Sequence, residues 1–174
     1  MPTNVDYSVA AGGNRMKTEG MRNQFFLTRN KLKEVVDHLS EPEADFQPEG
    51  FSNTVRWQLG HLLVSAESFM FGYPQVGSPV PEIYASFFER GTAPSRWQRS
   101  APSLTELKKQ LEAQEKRLAE LPDEYWSEKV TSPIPGMDIK DREGLFHLLL
   151  HHEAMHLGQI QSIKRLIAVE SRYY

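Results

Sequence analysis

The sequence contains no cysteine among its 174 residues. This absence excludes structural disulfides, zinc sites built from thiolates and a cysteine nucleophile. A reaction that needs a thiol must therefore take it from another molecule. A metal site must be built from histidine, carboxylate or other oxygen ligands.

Three further features are missing from the chain. No apolar run approaches the roughly 18 residues of a transmembrane helix, and the N-terminus has no basic start followed by an apolar core. The chain also has no block of Lys and Arg, and its formal net charge is −3. We therefore expect a cytoplasmic protein with neither membrane nor nucleic-acid partners.

The residues that are present predict one all-α domain. Hydrophobic residues make up 39% of the chain and charged residues 25%, which is typical of a single globular domain. Apolar side chains recur at helical spacing in four segments, predicted as helices over about 21–39, 52–72, 103–122 and 141–168. Four amphipathic helices that each bury one stripe pack most simply as an antiparallel four-helix bundle. Ser52 or Asn53 is expected to cap the second helix, and Ser103 with Glu106 forms a capping box for the third.

Two segments fall outside these helices. Residues 1–15 are predicted to be a flexible N-terminal extension, which leaves residues 16–174 as the domain. Residues 73–102 form a link between the second and third helices that is long for a compact domain, with a short helix predicted within residues 81–89. This link is expected to cross the bundle and cover a pocket with its aromatic side chains, although these could equally pack on the core. The aromatic residues concerned are Tyr84, Phe87, Phe88 and Trp97.

Four of the six histidines lie within residues 144–160. His152 and His156 are one helical turn apart and share the apolar stripe of the last helix. Buried imidazoles cost free energy unless their nitrogens are satisfied, and two of them at this spacing suit a divalent metal such as zinc or nickel. His147 and His151 make a second pair, but they lie on the opposite side of the helix and cannot share that metal.

A third ligand is expected from the second helix. His61 lies outside the apolar stripe of that helix, in line with Trp57, Ser65 and Ser68, and such a face suits the wall of a partly polar cavity. His38 is interpreted as a surface residue. A lone histidine such as His61 could also be a surface residue or one satisfied in the core.

Residues 152–156 also spell H-E-x-x-H, the zinc-protease signature in which the glutamate is the general base. The extended form of the motif fails, because Gln159 replaces its glycine and Ser162 its last histidine. Glu170 is the one carboxylate among the residues that follow His156, and little of the sequence predicts a sheet that could hold a peptide. A metalloprotease is therefore the weaker interpretation.

Trp57-x-x-x-His61 on an early helix, followed by His152-Glu-Ala-x-His156-x-Gly-Gln-Ile near the C-terminus, resembles the DinB/YfiT-like family of small four-helix-bundle proteins. The resemblance covers about residues 21–168. It implies that a divalent metal binds to three histidines, one from the second helix and two from the last, and the matching positions here are His61, His152 and His156. Members act as metal-dependent S-transferases with bacillithiol, mycothiol or glutathione, or as metal-dependent hydrolases.

Three functions stay open at this point. A metal would favour the thiolate form of a low-molecular-weight thiol for S-transfer, or it would lower the pKa of water for hydrolysis. In a non-catalytic dimeric module, a closed four-ligand site would serve stability alone. Glu153 is a candidate base or partner of a ligand, with a solvent-side position as the alternative. Gln159 is a candidate hydrogen-bond partner of a ligand histidine or of the substrate.

The back face of the last helix predicts a homodimer. His147, His151, Ala154 and Gly158 lie on this face, and its small residues would let another helix approach closely. The alternative is an ordinary exposed face.

Overall fold

The computed structural model describes residues 15–75, 77–132 and 135–170. The secondary structure in these ranges consists of helices joined by loops. The helices are α1 (Arg15–Val36), α2 (Glu41–Asp45), α3 (Val55–Phe71), α4 (Tyr84–Phe88), α5 (Leu104–Ala119) and α6 (Arg142–Glu170). Within the described ranges extended pairing amounts to one isolated bridge, between Lys129 and Asp141. The all-α prediction is confirmed.

The N-terminal third has more breaks than predicted. Helix α1 ends at Val36, short of the predicted residue 39, because Ser40 opens a separate helix. Ser40 and Glu43 form a capping box there, in which each side chain bonds the other's backbone N–H. The predicted N-terminal extension lies outside the described residues except for Arg15, which begins α1.

Helix α3 begins and ends at cap residues. Its N-cap is Thr54, whose side chain accepts from the Trp57 backbone N–H, so the predicted caps Ser52 and Asn53 are wrong by one or two residues. Gly72 ends the helix with a φ of 71°, a left-handed conformation that favours glycine.

Helices α5 and α6 follow the prediction closely. Ser103 caps α5 by accepting from the Glu106 backbone N–H, as predicted. The predicted capping box is incomplete, because the Glu106 carboxylate accepts from Gln110 and not from the Ser103 backbone. The Glu41 carboxylate accepts from the Leu104 N–H, which ties α2 to the start of α5. Helix α6 extends two residues beyond the predicted end at Ala168.

Each of the four long helices, α1, α3, α5 and α6, contacts two of the others. Helix α1 packs on α6 and α5, and α3 packs on the same two helices. Helix α3 is buried on nearly all sides, and α4 covers part of its surface. None of the described helices is both long enough and apolar enough to cross a bilayer.

The link between α3 and α5 contains the predicted short helix, now bounded as α4. The side chains of Tyr84, Phe87 and Phe88 are buried in the core, so the prediction that they cover the pocket is wrong and the core-packing alternative holds. The Phe88 ring packs directly on Gly60 of α3, where an added Cβ would lie 2.3 Å from Phe88 Cδ1. Only a glycine at position 60 lets α4 sit this close.

Candidate metal centre

Three histidines from two helices meet at the α3–α6 contact. His61 lies on α3, and His152 and His156 lie on successive turns of α6. The Nε2 atom of His152 is 3.1 Å from that of His61 and 3.1 Å from that of His156. Within the described ranges this is the one group of three or more His, Cys, Asp or Glu side chains that could hold a metal ion. The structure thus brings the three predicted ligands together.

The His61 ring is fixed from two sides. Its Nδ1 lies 2.6 Å from the carbonyl oxygen of Phe88, and because a carbonyl can only accept, Nδ1 carries the proton. The ring stacks on Trp57 with centroids 4.6 Å apart, and Trp57 Nε1 donates to Thr92 Oγ1 at 2.8 Å. The His61 Nε2 therefore presents a lone pair.

The His156 ring is fixed by side chains. Its Nδ1 hydrogen-bonds Gln58 Oε1, and Gln58 Nε2 in turn donates to Gln159 Oε1 at 2.7 Å. An amide oxygen accepts, so His156 also has its proton on Nδ1 and a lone pair on Nε2.

His152 completes the convergence and is the least constrained of the three. Its Nδ1 is buried and has no hydrogen-bond partner within the described ranges. If His152 carried its proton on Nε2, it could donate that proton to His61 or to His156 but not to both. The lone pairs of two Nε2 atoms would then still face each other. A cation at the centre would satisfy all three nitrogens at once.

Electrostatics keeps these rings neutral. Burial, reinforced by the neighbouring histidines, lowers the pKa of His152 to about 3 and that of His156 to about 4. Burial also lowers the pKa of His61, against the opposing bond to Phe88. Because a histidine must be unprotonated to bind a metal, the three rings are ready to do so at neutral pH.

The triad opens into a cleft of about 550 Å³ between α3, α6 and the start of the loop after α4. His61, Ser65 and Ser68 line it, as predicted for this face of α3, whereas Trp57 is not among the lining residues. Val64, Phe69 and Met155 supply apolar surface, and the exposed residues Glu89 and Arg90 supply charge.

Glu153 points away from this cleft. Its carboxylate is fully buried and pairs with Arg29 Nη2 at 2.5 Å, which also donates to Gln114. Burial raises the pKa of Glu153, and the Arg29 guanidinium opposes that rise. The alternative that Glu153 faces solvent is therefore wrong. Its role as a base stays a prediction, and Glu153 is not among the residues that line the cleft.

The remaining predicted residues lie as follows. Gln159 reaches His156 only through Gln58, a residue that the sequence interpretation missed because a single amide produces no periodic signal. His38, His147 and His151 are exposed and lie outside the triad, as predicted. Ala154 and Gly158 are also exposed, and the homodimer through this face stays a prediction.

Comparison with known proteins assigns the family. No curated protein matches the chain significantly. Residues 24–160 match the sequence profile of the DinB superfamily, a stretch that contains all three histidines and covers more than half of the chain. The chain belongs to the DinB superfamily.

Proposed function

We propose that this protein binds one divalent metal ion through His61, His152 and His156 and uses it to transfer a low-molecular-weight thiol to a small-molecule substrate. The observation that carries the proposal is the convergence of three neutral Nε2 atoms on an open cleft. Imidazole is a preferred ligand of borderline metals, so nickel or zinc is the expected ion.

The donor set fits a catalytic site better than a structural one. Structural zinc sites have four protein ligands, whereas catalytic sites have three and leave a position for substrate. Within the described ranges no fourth His, Cys, Asp or Glu belongs to the triad. A bound ion would supply a Lewis acid that favours the deprotonated form of a thiol or of water.

The side chains of the cleft suit a thiol that carries a carboxylate. Arg90 lines the cleft, is exposed, and has no hydrogen-bond or ion-pair partner among the described residues. Its guanidinium would bind a carboxylate and orient it. Val64, Phe69 and Met155 would pack against the apolar part of the substrate and exclude water.

Hydrolysis is the second candidate, favoured by one observation. Glu89 lines the same cleft, and its carboxylate could accept a proton from water. Glu153 is held by Arg29 in the core, so a protease mechanism that uses it as the base has no support.

The test is metal content by mass spectrometry on untagged protein, followed by thiol-transfer and hydrolase assays on the metal-loaded form. We expect about one equivalent of nickel or zinc per chain, lost in the variant His152→Ala/His156→Ala. The matched control is His147→Ala/His151→Ala, which removes an exposed pair at the same spacing from the same helix and should keep the metal.

The outcomes separate the candidates. Turnover that depends on an added thiol supports the transferase, and turnover without one supports the hydrolase. Metal binding without either activity supports a non-catalytic role. Failure of the wild-type protein to bind metal after reloading would overturn the proposal.

We also propose that α1, α3, α5 and α6 form a four-helix bundle with the link between α3 and α5 as its crossover. The support is that each of these helices packs on two of the others. An experimental structure with a different order of helix contacts would refute it.

A further inference from the structure

We infer that Gln58 is a positioning residue: its side-chain oxygen sets the tautomer of His156 and thereby turns the Nε2 lone pair of that ring toward the metal. The inference rests on the proposed metal site and adds to it a residue outside the three ligands. Gln58 does not reach the metal position itself, since its side-chain bonds go to His156 and Gln159.

Gln58 is built into the interface between α3 and α6. It lies one turn before His61 on α3 and is 2% exposed. Its Oε1 accepts from His156 Nδ1, and its Nε2 donates to Gln159 Oε1 at 2.7 Å. Both polar ends of a buried amide are thus used, and both bonds go to the helix that carries two of the ligands.

The direction of these two hydrogen bonds decides which ring nitrogen of His156 is protonated. With the Gln58 oxygen toward the ring, His156 keeps its proton on Nδ1 and its lone pair on Nε2. With the amide reversed, the Gln58 nitrogen would donate to Nδ1, the ring proton would move to Nε2, and His156 could not bind a metal through that atom. In this structure Gln159 stabilises the first arrangement, because its oxygen accepts from the Gln58 nitrogen.

The other two ligands do not depend on a side chain in this way. His61 is oriented by the backbone carbonyl of Phe88, which a substitution of the Phe88 side chain does not remove. His152 has no partner at Nδ1 among the described residues. Gln58 is therefore a position where changing one side chain removes the hydrogen-bond partner of one ligand and leaves all three ligands present.

The experiment has two readouts. The first is the histidine tautomer in the metal-free protein, measured from ¹⁵N chemical shifts and long-range ¹H–¹⁵N couplings. The second is the zinc affinity, measured by competition with a chromophoric chelator. The variants are Gln58→Leu, Gln58→Glu and Gln159→Leu, and the matched control is Gln161→Leu, a partly buried glutamine elsewhere on α6.

We expect His156 in the wild-type protein to be protonated at Nδ1. Gln58→Leu should weaken zinc binding about 10–100-fold, the usual effect of removing the partner of a ligand histidine. Gln58→Glu should bind zinc at least as tightly as wild type, because a carboxylate is also an acceptor. Gln159→Leu should allow a mixture of tautomers and cause a smaller loss, and Gln161→Leu should have no effect.

Two results would overturn the inference. One is a wild-type His156 protonated at Nε2. The other is a folded Gln58→Leu variant, checked by circular dichroism, that binds zinc like wild type. If the wild-type protein binds neither zinc nor nickel, the proposed function fails, while the tautomer measurement still decides whether Gln58 sets the state of His156.

Discussion

Two of the buried polar clusters in this helical protein differ in how their charges are balanced. The first, the charged network, joins α1, α3, α5 and α6 through Arg29, Glu67, Gln114, Arg117 and Glu153. Its two guanidinium groups face two carboxylates, so its charges cancel. The second cluster, the histidine triad, has three neutral rings whose lone pairs converge on one point. The first cluster is neutralised from within, and the second has room for a cation.

The two clusters meet at neighbouring residues of α6. His152 turns toward the cleft, and Glu153, about 100° further around the helix, turns toward Arg29 of α1. The two parts of the H-E-x-x-H pattern therefore serve different purposes. The histidines form the candidate metal site, and the glutamate anchors the helix that presents them.

The largest expected effect comes from breaking the charged network. Arg29 and Glu153 are 1% and 0% exposed, so replacing either one alone leaves a buried, uncompensated charge. We expect Arg29→Met or Glu153→Leu to lower the free energy of unfolding by about 3–5 kcal/mol, as for other buried pairs. The double variant should lose clearly less than the sum of the two. Urea denaturation of the metal-free proteins measures all three.

A matched control for this prediction is the exposed pair Lys31 and Glu34. Lys31→Met should change the stability by no more than about 0.5 kcal/mol, because solvent screens exposed ion pairs. Additive losses in the Arg29 and Glu153 variants would show that the two side chains do not interact, which would remove the basis of the comparison.

The next effect is the pH dependence that the triad imposes on the metal-free protein. The pKa values of His152 and His156 are about 3 and 4 in the folded protein, below the 6.5 of a free histidine. Between these values the unfolded chain binds more protons, so stability must fall as the pH falls below about 6.5. Each histidine contributes a slope of up to about 1.4 kcal/mol per pH unit. We expect a total loss of roughly 2–3 kcal/mol by pH 4.5, after allowing for solvent screening.

Thermal unfolding at several pH values between 4.5 and 7 measures this slope. The variant His152→Ala/His156→Ala should show a much flatter dependence in the same window, and His147→Ala/His151→Ala should behave like wild type. An equal slope in the wild type and the first variant would mean that carboxylates, not the triad, dominate the acid response.

Features that produce a local pattern in the sequence were predictable, and contacts between distant residues were not. The four long helices and the His152–His156 pair were predictable, because both produce helical periodicity. The N-cap of α3 was misplaced, because Ser52, Asn53 and Thr54 are consecutive and all favour that position. The partner of Glu153 was not predictable, since Arg29 lies 124 residues away.

The residues that surround His61 were likewise not predictable from the sequence. The sequence predicted a helix with one apolar stripe and His61 outside it, but α3 is buried on nearly all sides. The additional cover comes from α4, whose Phe88 both packs on Gly60 and binds His61 through its carbonyl. Periodicity within one helix contains no information about which loop covers it.

A smaller effect is expected from Gly60→Ala. The added methyl would lie 2.3–2.5 Å from three atoms of the Phe88 ring, so α4 must shift. We expect a loss of about 1–2 kcal/mol from overpacking. Because the Phe88 carbonyl holds His61, zinc binding should also weaken. Chelator competition and urea denaturation measure the two effects, and a variant with wild-type values for both would show that the α3–α4 contact does not support the site.

The smallest expected effect is a gain, from Gly158→Ala on the exposed face of α6. An added Cβ there meets nothing within 4 Å, and the residue is in the middle of a helix. Alanine should therefore raise the free energy of unfolding by about 0.5–1 kcal/mol, chiefly because it restricts the unfolded chain. Zinc affinity should not change, because this face lies away from the cleft. Sedimentation velocity on both proteins tests the predicted homodimer: if a partner helix packs closely on Gly158, the methyl will weaken the dimer and stability will fall, whereas a gain at every protein concentration indicates that the face is free.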